Sequence, residues 1–204
     1  MEKFITLKKT EAEFVYLVEK SRFIGSAIGV DSEEEARAFL SQIKKRYYDA
    51  THHCYAYYGD FGQKFSDDGE PSGTAGLPIL EAIRMQSLTN VLVVVTRYFG
   101  GIKLGGGGLV RAYGKTAGSV LSAAEKRTFV RAAASICRCS YGEYASVRKT
   151  AEQFGKITAE TFGGEISVEV SVPYSAQNEF EIALRNVTGG KVLPQWQGEK
   201  WECF

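Results

Sequence analysis

The spacing of apolar positions changes several times along the chain, and each change marks a predicted element. Phe14 to Val30 reads as two strands around the polar pair Lys20-Ser21. Ala36, Phe39, Leu40, Ile43 and Tyr47 then recur at helical spacing. Ser32 is a candidate N-cap for that helix, and Glu35, three residues on, has the spacing of a capping box. Lys44, Lys45 and Arg46 fall near the predicted C-terminus, where the helix dipole favours cations. Ala50 to Tyr58, rich in aromatic residues, predicts a strand, and Gly59 to Gly69 a hairpin or loop. Ala75 to Gln86 predicts a helix that admits Pro78 only in its first turn. Val91 to Tyr98 is a β-branched run ending at a glycine cluster, which predicts a buried central strand. Gly106 to Ala124 predicts a second long helix.

From Thr128 the pattern becomes a shorter repeat. Phe129 to Ser140 reads as a strand, Tyr144 to Phe154 as a helix ended by Gly155, and Ile157 to Phe162 as a strand. Gly163-Gly164 is a hairpin signal, and Glu165 to Val172 alternates as a half-buried strand does. Ala176 to Val187 predicts a helix closed by Gly189-Gly190, and Lys191 to Trp196 a last strand. The order β-α-β-β-α-β is that of a ferredoxin-like domain. The expected fold class is therefore α+β in two domains, 1–128 and 129–204.

Composition adds limits. The chain has 204 residues, 44% of them hydrophobic and 24% charged, which suits packed domains and not a disordered chain. A net charge of +1 argues against a general polybasic binder. Cys54, Cys137, Cys139 and Cys203 show neither a disulfide framework nor zinc-finger spacing, so reduced thiols in a cytoplasmic protein are expected. Met1-Glu2-Lys3-Phe4 opens no signal peptide, and the most apolar run, Asn90 to Thr96, is too short to span a bilayer, so no membrane partner is expected.

Three segments concentrate chemistry. Asp67 to Gly76 packs three carboxylates, two hydroxyls, three glycines and a proline into ten residues. Its carboxylates suit a hard cation, Ser72 or Thr74 suits a helix N-cap, and the plainest reading is a turn whose Asp and Ser bond to their own backbone. Arg97 to Arg111 runs from a strand through glycines 100, 101 and 105–108 into a helix. Such glycines let a ligand approach the backbone, and helix N-termini donate to anions. Gly114-Lys115-Thr116 resembles the end of a phosphate-binding loop, but Leu109 stands where that loop needs glycine. From Ala82 to Ala124 there is no Asp or Glu, while Arg84, Arg97, Lys103, Arg111 and Lys115 lie there. Arg97, Tyr98, Lys103, Gly106, Gly107, Arg111 and Lys115 are thus candidates for contacting phosphate. The third segment, Thr51 to Tyr55, holds His52 and His53, which on a strand point to opposite faces.

Three stretches taken together resemble the IMPACT/YigZ family: Asp67 to Gly76, Val93 to Gly101 (VVVTRYFGG), and Leu104 to Tyr113 (LGGGGLVRAY). Ala50 to Cys54 fits as well, and the resemblance covers essentially the whole chain, which looks like a bacterial member. It implies an N-terminal α+β domain with a mixed sheet, like a ribosomal small-subunit protein and domain IV of elongation factor G, and a C-terminal domain like domain V of that factor. It also implies a role in translation regulation, because eukaryotic relatives act there under stress by interfering with activation of an initiation-factor kinase. No catalytic residue is carried over, and no cofactor or metal is expected. The first functional expectation is a non-enzymatic binder of RNA or the ribosome, or of a translation-related protein. In it the basic stretch contacts phosphate and the loop residues His53, Asp67, Asp68, Glu70, Ser72 and Thr74 brace it. The alternatives are a metal-assisted hydrolase centred on Asp68, Glu70, Ser72 and His53, and a protein–protein module built on the ferredoxin-like sheet.

Overall fold

The computed structural model describes Lys3–Phe204; Met1 and Glu2, the first residues of the segment expected not to be a signal peptide, lie outside the described residues. The chain divides into a unit spanning Ile5–Arg127 and a second formed by Thr128–Phe204 with the residues through Phe4.

The elements of the first unit are β1 (Lys3–Leu7), β2 (Ala12–Val18), β3 (Ser21–Gly29), α1 (Glu33–Arg46), β4 (His52–Gly59), β5 (Gly62–Ser66), α2 (Gly76–Met85), β6 (Val91–Tyr98) and α3 (Gly105–Ala123). Lys3 and Phe4 of β1 belong to the second unit, and β1 was not foreseen from the sequence. The sheet of the first unit has the order β2-β3-β6-β4-β5 and does not include β1. Every strand pairing in that sheet is antiparallel, which corrects the expectation of a mixed sheet; the one parallel contact is an isolated bridge between Ile5 and Leu88. The central position of β6 explains its continuous apolar run. Val91, Val93 and Val95 face α2 and α3, while Leu92 and Val94 face α1, so neither parity meets water. Each such fully buried side chain contributes about 1.5–3 kcal/mol.

Local signals set the ends of these elements. Ser32 Oγ accepts the Glu35 N–H at 3.2 Å, as the cap spacing predicts. The Glu35 carboxylate reaches back one residue further than a capping box requires, to the Asp31 N–H at 2.9 Å. The stripe from Ala36 to Tyr47 packs as expected, with Leu40 and Tyr47 at its half-buried margin. Pro78 is the third residue of α2, inside the first turn. The β2–β3 hairpin turns on Glu19 and Lys20, both with positive φ (44° and 62°).

The second unit contains β7 (Lys126–Cys139, its first two residues belonging to the first unit), α4 (Tyr144–Phe154), β8 (Lys156–Phe162), β9 (Ile166–Pro173), α5 (Gln177–Thr188) and β10 (Gln195–Cys203). The strands lie in the order β10-β7-β9-β8, all antiparallel, which is the ferredoxin-like arrangement. The last strand is the main departure. It runs from Gln195 to Cys203, later than the expected Lys191–Trp196, because its partner is the long β7: Gln195 sits opposite Ile136 and Cys203 opposite Phe129. Phe4 stacks on Phe129 at 5.0 Å and meets Trp201 edge-on, which ties down that end of the strand. Cys137 and Cys139 share the helix-facing side of β7, as their spacing requires.

Candidate functional site

The loop from Asp67 to Gly76 folds around its own carboxylates. Asp67 to Glu70 is a tight turn closed by Glu70 N–H to Asp67 O (2.9 Å), with Asp68 and Gly69 at φ 43° and 88°. The Asp67 carboxylate then reaches forward. Oδ1 accepts from Ala75 N–H (3.0 Å) and Gly76 N–H (2.8 Å), and Oδ2 from Gly73 N–H (2.9 Å). Asp67 therefore caps α2 from eight and nine residues upstream. This replaces the expected cap by Ser72 or Thr74: the Thr74 hydroxyl donates to Pro71 O at 2.6 Å, and Ser72 is exposed. Burial raises the Asp67 pKa, but the N–H donors of Gly73, Gly76 and Ala75 outweigh it and hold the carboxyl below its ordinary value.

Glu70 points inward. Its side chain is 4% exposed, and Oε1 accepts from Arg97 at 2.6 Å and from the Tyr113 hydroxyl at 2.7 Å. His52 Nε2 lies 4.0 Å from Oε2. Arg97, itself 5% exposed, is held by Phe23 and Phe99, with its centre 5.3 Å from each ring centroid. Its second nitrogen donates to Ser21 Oγ at 3.4 Å. The four recognisable segments thus converge on one carboxylate: β4 through His52, the loop through Glu70, β6 through Arg97 and α3 through Tyr113. Sequence reasoning listed Glu70 and Arg97 but missed their pairing, and missed Tyr113 and Ser21, because partners 27 to 76 residues apart leave no local pattern.

These contacts bear on the hydrolase alternative. Asp68 Oδ2 accepts from His53 N–H (2.7 Å), and Oδ1 is 3.5 Å from Lys44. The His53 ring bonds through Nε2 to Tyr47 O (3.0 Å) and not to Asp68, so these residues of the hydrolase alternative do not share a proton-transfer contact. A carbonyl only accepts, so Nε2 carries the proton; burial lowers the His53 pKa and keeps the ring neutral. The carboxylates of Asp67, Asp68 and Glu70 are therefore each engaged by internal donors. Among the described residues no cluster of three or more His, Cys, Asp or Glu is placed to hold a metal.

The cysteines offer no nucleophile at this site. Cys54, 3.3 Å from the Tyr113 hydroxyl and 3.0 Å from Asp67 O, is pushed by burial up to about 12, and burial also raises Cys137, to about 11, and Cys139. In the native protein only Cys203, which is half-buried, should react promptly with an aromatic disulfide reagent, while the other three appear on unfolding. Two or more rapid thiols in the native state would contradict this packing.

The expected phosphate-binding set separates into two groups. Arg97 is buried on Glu70 and is not available to a surface phosphate, and Tyr98 spends its hydroxyl on Asp49 (2.7 Å) while Arg22 covers its ring. Arg84, the fifth cation of the acid-free stretch, pairs with Glu81. The acids that neutralise Arg84 and Arg97 come from residues 70 and 81, just outside that stretch. Lys103, Gly106, Gly107, Arg111 and Lys115 are exposed. Lys115 stands over the Tyr16 ring at 4.4 Å, and Lys103 and Arg111 have no hydrogen-bond or ion-pair partner among the described residues.

The start of α3 lies between these cations. Its N-cap, Leu104, offers no side-chain cap, and the first turn holds no acid. Gly105 has φ 69°, which requires glycine. Gly106 and Gly107 do not: a Cβ on Gly106 would lie 3.9 Å from the Thr74 methyl, and one on Gly107 3.6 Å from Arg111. Both glycines weaken a helix start without serving its packing. The second Asp67–Gly76 feature, Thr74, thus borders the α3 start, while Asp67 occupies the N–H groups of α2 and leaves those of α3 uncovered.

Comparison with known proteins agrees with the segments that meet here. Residues 19–121 match the Impact N-terminal domain, and residues 137–191 match a domain of unknown function, DUF1949. The Haemophilus influenzae IMPACT family member is 34% identical over 193 residues, 92% of this chain and 94% of that protein. The Escherichia coli IMPACT family member YigZ is 33% identical over 181 residues, 86% and 89% of the two chains. The Bacillus subtilis IMPACT family member YvyE is 52% identical over 116 residues, 55% of this chain and 53% of its own length. A crystal structure described only as that of a hypothetical protein superposes with a TM-score of 0.62 at 30% identity, over 98% of this chain and all of that one. No helix among the described residues is long and apolar enough to cross a membrane. With both domain models matched in order and relatives aligned over nearly their full length, the chain belongs to the IMPACT family.

Proposed function

We propose that the protein is a non-enzymatic binding protein of translation that holds RNA phosphates, free or on the ribosome, at the start of α3. The observation that carries this reading is the pair Lys103 and Arg111, exposed and unpaired beside an uncapped, glycine-covered helix N-terminus. Free N–H groups, the positive end of a helix dipole and two unneutralised cations all favour the same ligand, an anion. Lys115 adds a third charge one turn on from Arg111. The translation role that the family resemblance implies supplies the class of anion. The engaged carboxylates of the Asp67–Gly76 loop favour this reading over a metal-assisted hydrolase.

Co-sedimentation with ribosomes, and binding to a labelled RNA, at two salt concentrations test it. Lys103→Ala and Arg111→Ala should each weaken binding about equally across RNA sequences and lower the salt slope by about 1. Absence of any salt-sensitive association at low salt would contradict the proposal. The two spare glycines give a second test. Gly106→Ala and Gly107→Ala should each raise stability by roughly 0.5–1 kcal/mol, because they remove backbone freedom from the unfolded chain. Both should nonetheless weaken RNA binding, because the added methyl stands where the phosphate approaches. Thermal melts and binding isotherms on the same samples separate the two effects.

A further inference from the structure

Beside the α3 start lies an open cleft of about 480 Å³. One wall comes from β2 and its turn, through Tyr16, Val18 and Glu19; the other comes from the approach to α3 and its first turns, through Ile102, Lys103, Leu104 and Arg111. Val18, Ile102 and Leu104 give the walls apolar patches, polar surface makes up the larger share, and three charges reach the cleft. Glu19, like Lys103 and Arg111, has no hydrogen-bond or ion-pair partner among the described residues. Opposite charges line one cleft without pairing with each other, the cations on the α3 side and the acid on the β2 side. The matching ligand carries an anion at one end, N–H donors at the other, and a body of mixed polar and apolar surface between them.

We infer that the cleft takes one unstacked nucleotide of single-stranded RNA. Its phosphate lies on Lys103 and Arg111, its base lies between the β2 wall and the α3 wall, and the N–H donors of the base meet the Glu19 carboxylate. The inference rests on the phosphate-binding reading above and adds to it what distinguishes one nucleic acid from another. A base in a duplex has both faces stacked and its Watson–Crick donors taken, so it cannot enter. Cytosine, adenine and guanine each present an exocyclic amine to a carboxylate. Uracil presents a single N–H flanked by two carbonyl oxygens, which the carboxylate repels.

The test is fluorescence anisotropy on the full chain with oligonucleotides of roughly 10 residues: cytidylate, uridylate, and a duplex of the same length. Single-stranded cytidylate is expected to bind about tenfold more tightly than either of the others, the scale of one well-made base contact. Ile102→Ser, a change at an exposed loop position, should remove most of that margin and leave duplex binding unchanged. Glu19→Ala gives a test of sign. If Glu19 holds the base, the variant binds cytidylate several-fold more weakly. If it is only an acid near a phosphate site, the variant binds every RNA more tightly, which would overturn the inference. Equal affinity for single strand and duplex, with salt dependence intact, would also overturn it while leaving the phosphate reading in place. No salt-sensitive binding to any of the three would remove both.

Discussion

Arg97→Met is expected to lower the unfolding free energy by about 3–5 kcal/mol, the cost of leaving a buried carboxylate without its counter-ion. Glu70, whose side chain is 4% exposed, would keep the Tyr113 hydroxyl as its hydrogen-bond donor, with His52 Nε2 4.0 Å away. Arg97→Lys should be nearly as damaging, because one ammonium cannot serve Glu70 and Ser21 together from between two phenyl rings. The double change Arg97→Met with Glu70→Leu should recover much of the loss, since it removes both charges at once. Urea denaturation of the wild type, Arg97→Met, Glu70→Leu and the double variant closes the cycle. Trp196 and Trp201, the two tryptophans of the chain, both lie in the Thr128–Phe204 unit, so far-UV circular dichroism is a better probe than their fluorescence. A loss below about 1 kcal/mol for Arg97→Met would mean that Glu70 is solvated and that the four segments are not held through it.

The same pair shows what was legible in the sequence. Elements with an unambiguous period were placed to within a few residues: the α1 stripe behind Ser32, the β6 run, and the βαββαβ order after Thr128. β1 was missed because its five residues, Lys3-Phe4-Ile5-Thr6-Leu7, are too few and too irregular in polarity to show a period. β10 was placed too early because its pattern is set by pairing with β7 and not by a buried face of its own. At the site, the segments singled out in the sequence lie together, and Arg97, expected to contact phosphate, is buried on Glu70. A cation in an acid-free stretch looks like surface charge until the fold brings an acid from 27 residues upstream. The β2 wall of the cleft was invisible for the same reason: about 85 residues separate Tyr16 and Glu19 from Ile102 and Lys103. The loop also carried two readings, cation site and self-bonded turn, that composition could not separate. Its geometry favours the turn, with Asp67 reaching further along the chain than a local turn rule anticipates.

Asp67→Asn should cost about 2 kcal/mol near neutral pH, in line with the loss of charge-assisted bonds to a helix start. The asparagine oxygen can still accept from Ala75 and Gly76, but its NH₂ would then face the Gly73 N–H, donor against donor. The pH dependence follows from the direction of the Asp67 shift. Its folded-state pKa lies below the ordinary aspartate value of about 3.9, so its stabilisation is fully present above that value and is lost as pH falls through the lower folded value. The gap between wild type and Asp67→Asn should therefore be constant from neutral pH down to about pH 5 and close progressively below pH 4. Urea midpoints collected at several pH values measure it. A gap that stays constant down to pH 2 would mean that the carboxylate charge contributes nothing to the cap. Because the Asp67–Gly76 loop borders the α3 start at Thr74 and Gly106, a loosened loop should also weaken RNA binding at neutral pH, with Lys103 and Arg111 untouched. Asp67 would then act on the ligand only by holding the α2 side of the site in place.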